Sequence, residues 1–486
     1  MNPFIRFVLH EPANRRLLLK TLVVTLAQWI IFKLLYPYAD FFSDSYSYIE
    51  AAASHATVSI WPIGYSWFLS LLHQVHYSDT FVTSVQYFFL ICSALVFFFT
   101  LLYFYQPAQN TIRFIWVFFF CNPLLLYLSN YISSDSLFTA LSLLWFTQLL
   151  WIIQRPVWYQ TITQALLLLI AFCVRYNAMY YPLITAVALF ASALPKVIKW
   201  GALVFSVLLL ALFVNYTGAE AKRLTGTRQF SVFSGWQLAN NALYAYPHVK
   251  VPYHIFEGKA SLFNRKVVKP FFDTCHPGIK DISPMNGAFY IRMPYAPLKQ
   301  YYIKYVHDST PATDFQAWGG VSPVFASFGS TFIKNYPGAY IQHYILPNSV
   351  NYMLPPLEKL EVYNLGLPQV YSEARYWFHY KSDNVHAVSA GLQGVLLFIF
   401  PPLFLVLNGA FIFCLTGFIK KRKLIPHTLW LCIVLTMVLF AANASFSILA
   451  SPIVFRYQVF TMIVIFAFSA ILSDLADSRQ TKTAAG

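Results

Sequence analysis

Runs of about twenty residues almost free of charge recur along this chain, and they fix its solvent before any motif is considered. At a rise of 1.5 Å per residue, about twenty helical residues cross a hydrocarbon core of about 30 Å. Ten such stretches stand out, at about 17–36, 80–104, 112–131, 136–153, 160–174, 178–195, 197–216, 390–418, 427–449 and 457–475. The 486 residues are 58% hydrophobic and only 10% charged, which excludes the set of soluble domains that length alone would suggest. The expected fold class is therefore an all-α polytopic membrane protein with about ten transmembrane helices. Pro401-Pro402 in the eighth stretch predicts a kink or a split there.

Between the seventh and eighth stretches lies a polar, Tyr-rich region at about 217–386, with 16 Lys/Arg against 10 Asp/Glu. Pro recurs there too often for long helices, apart from a helical stretch at 235–244, so an α+β extracytoplasmic domain is expected. The chain then divides into a membrane module over 1–216, the soluble domain over 217–386 and a second membrane module over 387–486.

A net charge of +15 would suggest nucleic acid as a partner of a soluble protein. Here the bases sort by side of the membrane instead. With a cytoplasmic N-terminus, fourteen fall in inner loops and tails: Arg6, Arg15, Arg16, Lys20, Arg113, Arg155, Lys196, Lys199, Lys420, Lys421, Arg422, Lys423, Arg479 and Lys482. The short outer loops hold only Arg175 and Arg456. This bias places both termini in the cytoplasm, with the first span read as a retained signal anchor. The bilayer is the expected environment, and no nucleic acid is expected. The composition suits a bacterial inner membrane with its active face toward the periplasm, although an endoplasmic-reticulum protein obeys the same charge rule.

The orientation also gathers the scarce acids. Asp40, Asp44, Glu50, Asp79 and Asp135 fall on the outer side, with Arg175 and Arg456. An ionisable group near the bilayer interior costs about 2.5–3.5 kcal/mol on insertion scales, which marks such groups as functional candidates. In the first outer loop, about 38–79, Ser47-Tyr48-Ile49-Glu50 has capping-box spacing. It predicts a helix starting there and lying on the membrane surface, followed by a second apolar helix over 66–75. That start frees Asp44 from a capping role, while Asp135, after Ser133-Ser134, suits either a helix cap or a site acid. Asp40 lies four residues before Asp44 and is read either as a face-sharing partner or as a solvated acid. Tyr48 and Trp61 are read either as rings that contact a sugar or as interfacial anchors.

Neither the cysteines nor the histidines supply a metal-ligand spacing or a disulfide framework, so no metal is predicted. A divalent cation held by carboxylates near a phosphate stays open.

Four motifs fall in order on the outer side: Asp44-Ser45-Tyr46-Ser47-Tyr48 with Trp61-Pro62-Ile63-Gly64-Tyr65, then Asn130 to Phe138 around Asp135, then Arg175-Tyr176-Asn177-Ala178, then Arg456-Tyr457. In these the chain resembles the GT-C superfamily of membrane glycosyltransferases, within it the protein O-mannosyltransferases and the aminoarabinose transferases of lipid A. The resemblance covers 1–216 well and 387–475 loosely. It implies an inverting glycosyltransferase that moves a sugar from a polyprenyl-phosphate donor to a lipid, glycan or protein acceptor outside the cytoplasm. Asp44 is then the general base and Asp135 the second catalytic acid. Arg175 and Arg456 hold the donor phosphate, and Tyr48, Trp61 and Asp40 are weaker substrate-binding candidates. The family often carries Asp-Glu at the first motif, where this chain has Asp44-Ser45, so the usual partner acid is missing.

Two other readings use the same residues. A lipid-linked sugar transporter or flippase would also concentrate charges at span ends, but such proteins carry internal repeats and broken helices at the midplane. No repeat is visible here. A non-catalytic relative serving as a subunit of an envelope complex would look the same in sequence.

Overall fold

A computed structural model describes residues 2–420 and 426–484. The bases Lys421, Arg422 and Lys423 lie outside the described residues. All ten expected stretches are helical. Among the described residues, eight helical segments are long and apolar enough to cross a membrane, including Pro12–Leu35, Asp79–Tyr105, Ser134–Gln154, Lys196–Thr225 and His427–Ala450. The fifth and sixth stretches fall short: Tyr159–Val174 has 16 residues and Tyr181–Ala191 has 11. The cause is local. Arg175 leaves the helix in an extended conformation, a 3-10 turn runs over Tyr176–Tyr180, and Pro182 sits in the first turn of the next helix.

The third and eighth stretches are each divided. Asn122 accepts the Leu124 N–H at 3.0 Å and starts a new helix at Pro123. The eighth breaks between Leu392–Leu397 and Phe400–Lys420. Pro401-Pro402 thus falls in the first turn of the second piece, where a missing N–H removes no hydrogen bond.

The region over 217–386 differs from expectation. Among the described residues it holds no strand and one isolated bridge, Gln369 with Asn384; a second bridge, Asp40 with Tyr131, lies in the membrane module. Its prolines do not prevent helices because Pro277, Pro284, Pro297 and Pro337 each sit in a first turn. A helix of 22 residues, Asp314–Asn335, even carries Pro323 inside it. It crosses Val232–Leu243 closely. A Cβ on Gly235 would stand 2.1 Å from the Ser322 carbonyl oxygen, so only glycine permits that approach. The crossing buries Trp236, Phe325 and Phe328 in a core of its own, drawn from residues between 236 and 344. Tyr352, Leu360, Tyr363 and Val385 instead join the core of the membrane bundle. The polar region therefore packs as a separate helical body plus a C-terminal segment laid onto the bundle.

In the first loop, the helix begins at Ser43 and runs to Ala53, four residues before the Ser47 start that the capping box suggests. Phe42 is extended at φ −139°, and its N–H donates to Ser45 Oγ at 3.1 Å. Ile49 and Ala52, on the expected apolar face of this helix, are buried in the bundle core. The second loop helix spans Gly64–His73.

Candidate functional site

The first turns of two helices and the ends of two others bring the scarce charges together. Asp44 lies in the first turn of Ser43–Ala53, and Asp135 lies in the first turn of Ser134–Gln154. Arg175 caps the end of Tyr159–Val174, and Arg456 sits in the short turn Phe455–Gln458 before the last helix. A carboxylate is favoured at a helix N-terminus by the unpaired N–H groups there. All four residues line one cavity of about 970 Å³.

Asp135 is the hub. Its Oδ1 is ion-paired with Arg175 Nη1, and its Oδ2 accepts from Arg456 Nη1 at 3.0 Å and from Ser133 Oγ at 2.9 Å. Both oxygens are occupied and the side chain is buried. Held in this way, Asp135 orients two guanidinium groups and is a poor proton acceptor.

Asp44 is held more loosely. Lys359 Nζ stands 3.2 Å from both of its oxygens, Ser43 Oγ donates to Oδ1 at 3.2 Å, and Arg456 Nη2 lies 3.6 Å from Oδ2. Burial opposes its charge, but Lys359 and Arg456 outweigh burial and hold the carboxyl below the usual carboxylate range. Arg456 therefore bridges the two acids. Its Nε is buried without a hydrogen-bond partner, a vacancy in donor pairing at the cavity wall.

Aromatic rings frame the cations. The Arg175 guanidinium stacks 4.5 Å from the Tyr457 ring centre, and Arg456 lies 4.9 Å from the same ring and 4.7 Å from Phe42. Lys359 sits 4.5 Å from Phe42. Such contacts suit cations held out of bulk water. Tyr48 lines the cavity, is buried, and shares a hydrogen bond with Ser134 Oγ at 3.1 Å. Burial raises its phenol pKa, so it remains protonated at neutral pH. Trp61 also lines the cavity.

Asp40 stands elsewhere. It is buried behind the site, with its Oδ1 accepting the Asn364 N–H at 2.8 Å and its Oδ2 accepting from Gln393 Nε2 at 3.4 Å. Its segment is extended and pairs with Tyr131, so the helical spacing that would put Asp40 beside Asp44 does not apply. It does not face the cavity, and substrate binding is replaced by a scaffolding role. Burial lifts its carboxyl to about 7, despite the hydrogen bonds that lower it.

What Asp40 scaffolds is the segment bearing Lys359. Tyr131 Oη donates to the Lys359 carbonyl at 2.7 Å, Gln393 Nε2 donates to the Leu360 carbonyl at 3.3 Å, and Tyr363 Oη donates to the Ala39 carbonyl at 3.0 Å. Within this strap Glu358, Asn364 and Leu365 hold φ values of 53°, 47° and 54°, each costing on the order of 1–3 kcal/mol for a residue with a side chain. The clamp of buried hydrogen bonds offsets that strain and delivers Lys359 to Asp44.

Lys359 goes unmarked in the sequence, and Tyr457 appears there in the Arg456-Tyr457 motif without a role of its own. Lys359 is one of 16 bases in the polar region and carries no local pattern that separates it from the others. Tyr457 was within reach, because it follows an arginine already singled out.

Beyond the charged end, the cavity is walled by Trp61, Phe233, Tyr302 and Trp318, with Lys299 and Asp314 among them. On another flank it meets Met179 and Leu449, which are 52% and 57% exposed and present an apolar rim. Among the described residues no group of three or more His, Cys, Asp or Glu side chains is arranged as a cation site.

Compared with known proteins, the chain gives no significant match to a family model, to a curated protein or to a solved structure.

Proposed function

We propose that this protein is an inverting glycosyltransferase of GT-C type that transfers a sugar from a polyprenyl-phosphate donor to an acceptor hydroxyl. One observation carries the reading: two carboxylates and three cations, Asp44, Asp135, Arg175, Lys359 and Arg456, meet at one cavity that also has an apolar rim and an aromatic wall. Few other tasks ask for that combination. A lipid phosphate needs cations beside an apolar approach, and a sugar hydroxyl needs a carboxylate to take its proton.

The reaction balances as a single displacement. The acceptor oxygen bonds to the anomeric carbon on the face opposite the phosphate. The bond from that carbon to the phosphate oxygen breaks, and its electron pair leaves with polyprenyl phosphate. Asp44 takes the hydroxyl proton. Arg456, Arg175 and Lys359 take up the charge that grows on the leaving phosphate, and Asp135 keeps the two arginines aimed.

The low proton affinity of Asp44 in the resting site fits this order of events. A donor phosphate among Lys359 and Arg456 neutralises the charges that depress the carboxyl, so donor binding strengthens the base before the acceptor reacts. The active face is proposed to be extracytoplasmic, on the charge bias of the loops. A membrane-impermeant thiol reagent added to intact cells should label a cysteine at exposed Ser54 and spare one at exposed Gln106; the reverse pattern contradicts the orientation.

The test of activity is direct. Protein reconstituted in vesicles is given a panel of labelled polyprenyl-phosphate sugars with alcohol, glycan and peptide acceptors. Formation of a covalent sugar–acceptor product with release of polyprenyl phosphate is expected. Movement of labelled lipid across the bilayer without any covalent product would instead make the protein a transporter.

A further inference from the structure

The aromatic end of the cavity has no task in the displacement itself. Trp61 and Phe233 have ring centres 4.7 Å apart, Phe233 and Trp318 5.9 Å, and Tyr302 and Trp318 5.9 Å. The four rings form one continuous wall contributed by the first loop and the helical body, and each remains partly exposed to the cavity. Trp318 packs against Trp236 at 4.1 Å and under Lys299 at 4.6 Å, so part of the wall's ring face is open to the recess, and leaving that part uncovered is unfavourable unless something covers it.

The polar groups between the rings narrow what that something is. Trp61 Nε1 is buried and makes no hydrogen bond, so a ligand in the recess meets the Trp61 ring rather than its N–H. Gln237 lines the same recess, donating to Asn241 Oδ1 at 2.8 Å. Its amide oxygen adds accepting capacity. Lys299 is packed 4.6 Å from the Trp318 ring centre and 5.3 Å from Tyr302, and burial lowers its pKa while Asp314 opposes that shift. Its cation is already engaged by ring faces, and Asp314 brings an opposite charge to the recess. Donors and acceptors alternate with flat apolar faces, and the charges balance.

An acyl or prenyl chain would leave these donors and acceptors unpaired, which is unfavourable. A strongly anionic headgroup would have to face Asp314. A pyranose ring matches both parts of the surface: its C–H face covers an aromatic ring, and its hydroxyls donate and accept around the rim. We infer that the Trp61–Phe233–Trp318–Tyr302 wall is a binding subsite for a neutral pyranose ring, the acceptor glycan of the reaction. The word acceptor rests on the transferase reading, whereas the binding of a pyranose does not.

Saturation-transfer NMR on the full-length protein in detergent tests the subsite without requiring turnover. The probes are neutral methyl pyranosides and their disaccharides, a short alkyl glycol and a serine-containing peptide. Transfer to the ring C–H protons of at least one pyranoside is expected, at least five-fold weaker in Trp318→Ala and Trp61→Ala and largely kept in Trp318→Phe. Binding of polyprenyl phosphate serves as a fold control and should be unchanged in all three variants. No pyranoside signal in the wild type, preference for the peptide or the glycol, or pyranoside signals indifferent to both alanine variants would each overturn the inference. If pyranosides bind as expected while no donor yields a product, the transferase reading fails and the subsite stands.

Discussion

Arg456 donates to Asp135 at 3.0 Å across 321 positions of sequence, and its other terminal nitrogen lies 3.6 Å from Asp44. One guanidinium thus couples the two acids of the site, and the behaviour of each acid depends on it.

Asp135 balances two buried arginines, so its charge matters more than its volume. Breaking one side of a buried ion pair leaves an uncompensated charge and costs about 3–5 kcal/mol. Asp135→Asn should therefore lower the unfolding temperature more than Asp44→Asn, because the Asp135 side chain is 2% exposed against 17% for Asp44. Thermal unfolding in detergent measures both. Equal shifts would show that Asp135 is not the hub.

Lys359 sets the proton affinity of Asp44. Asp44 is depressed in the folded site, so its ionised form persists as the pH falls and is lost only below the usual carboxylate range. Lys359→Met removes one of the two depressing charges. The acid limb of the pH–rate profile should then move to higher pH, and donor affinity should fall about ten-fold. A profile that stays in place would separate Lys359 from the base.

Asp40 behaves in the opposite sense. Its carboxyl is raised from 3.8 to about 7 by burial, so between those values the native state holds a proton that the unfolded chain has lost. Stability should fall as pH rises through that window. Asp40→Asn should flatten the decline when unfolding temperature is followed from pH 4 to 8. It should also leave the Asn364 N–H paired, because an amide oxygen accepts as a carboxylate does.

Gly64 begins the second loop helix where it meets the end of the helix that carries Arg175. A Cβ there would stand 2.6 Å from the backbone carbon and oxygen of Cys173. Backbone cannot yield as a side-chain tip can, so Gly64→Ala should cost about 1–3 kcal/mol of stability and weaken donor binding by shifting Arg175. Unfolding and donor-binding measurements on this variant check both effects.

The sequence carried the helices and most of the charged cluster for a physical reason. In an apolar chain every charge at a span end is conspicuous, so Asp44, Asp135, Arg175 and Arg456 stood out without any knowledge of packing. Lys359 did not, because in a polar region a lysine is unremarkable until long-range folding sets it against Asp44. Asp40 was misjudged through spacing: four residues share a face only in a helix, and its segment is extended. The helix start was misplaced because the Ser47 capping pattern is local, whereas the observed start at Ser43 depends on Phe42 being buried and extended. Proline content between 217 and 386 points to strands only while position is ignored, because first-turn prolines begin helices as readily as they end them.

The central claim is that Asp44 takes the acceptor proton, and one comparison tests it most directly. Wild type and Asp44→Asn are matched for folding and for binding of polyprenyl phosphate, then compared in turnover of a polyprenyl-phosphate sugar that the wild type uses. The account predicts at least a hundred-fold loss of kcat in Asp44→Asn, in line with the roughly 10²–10⁴-fold contribution of a positioned general base. Sugar transfer by Asp44→Asn at the wild-type rate would contradict it.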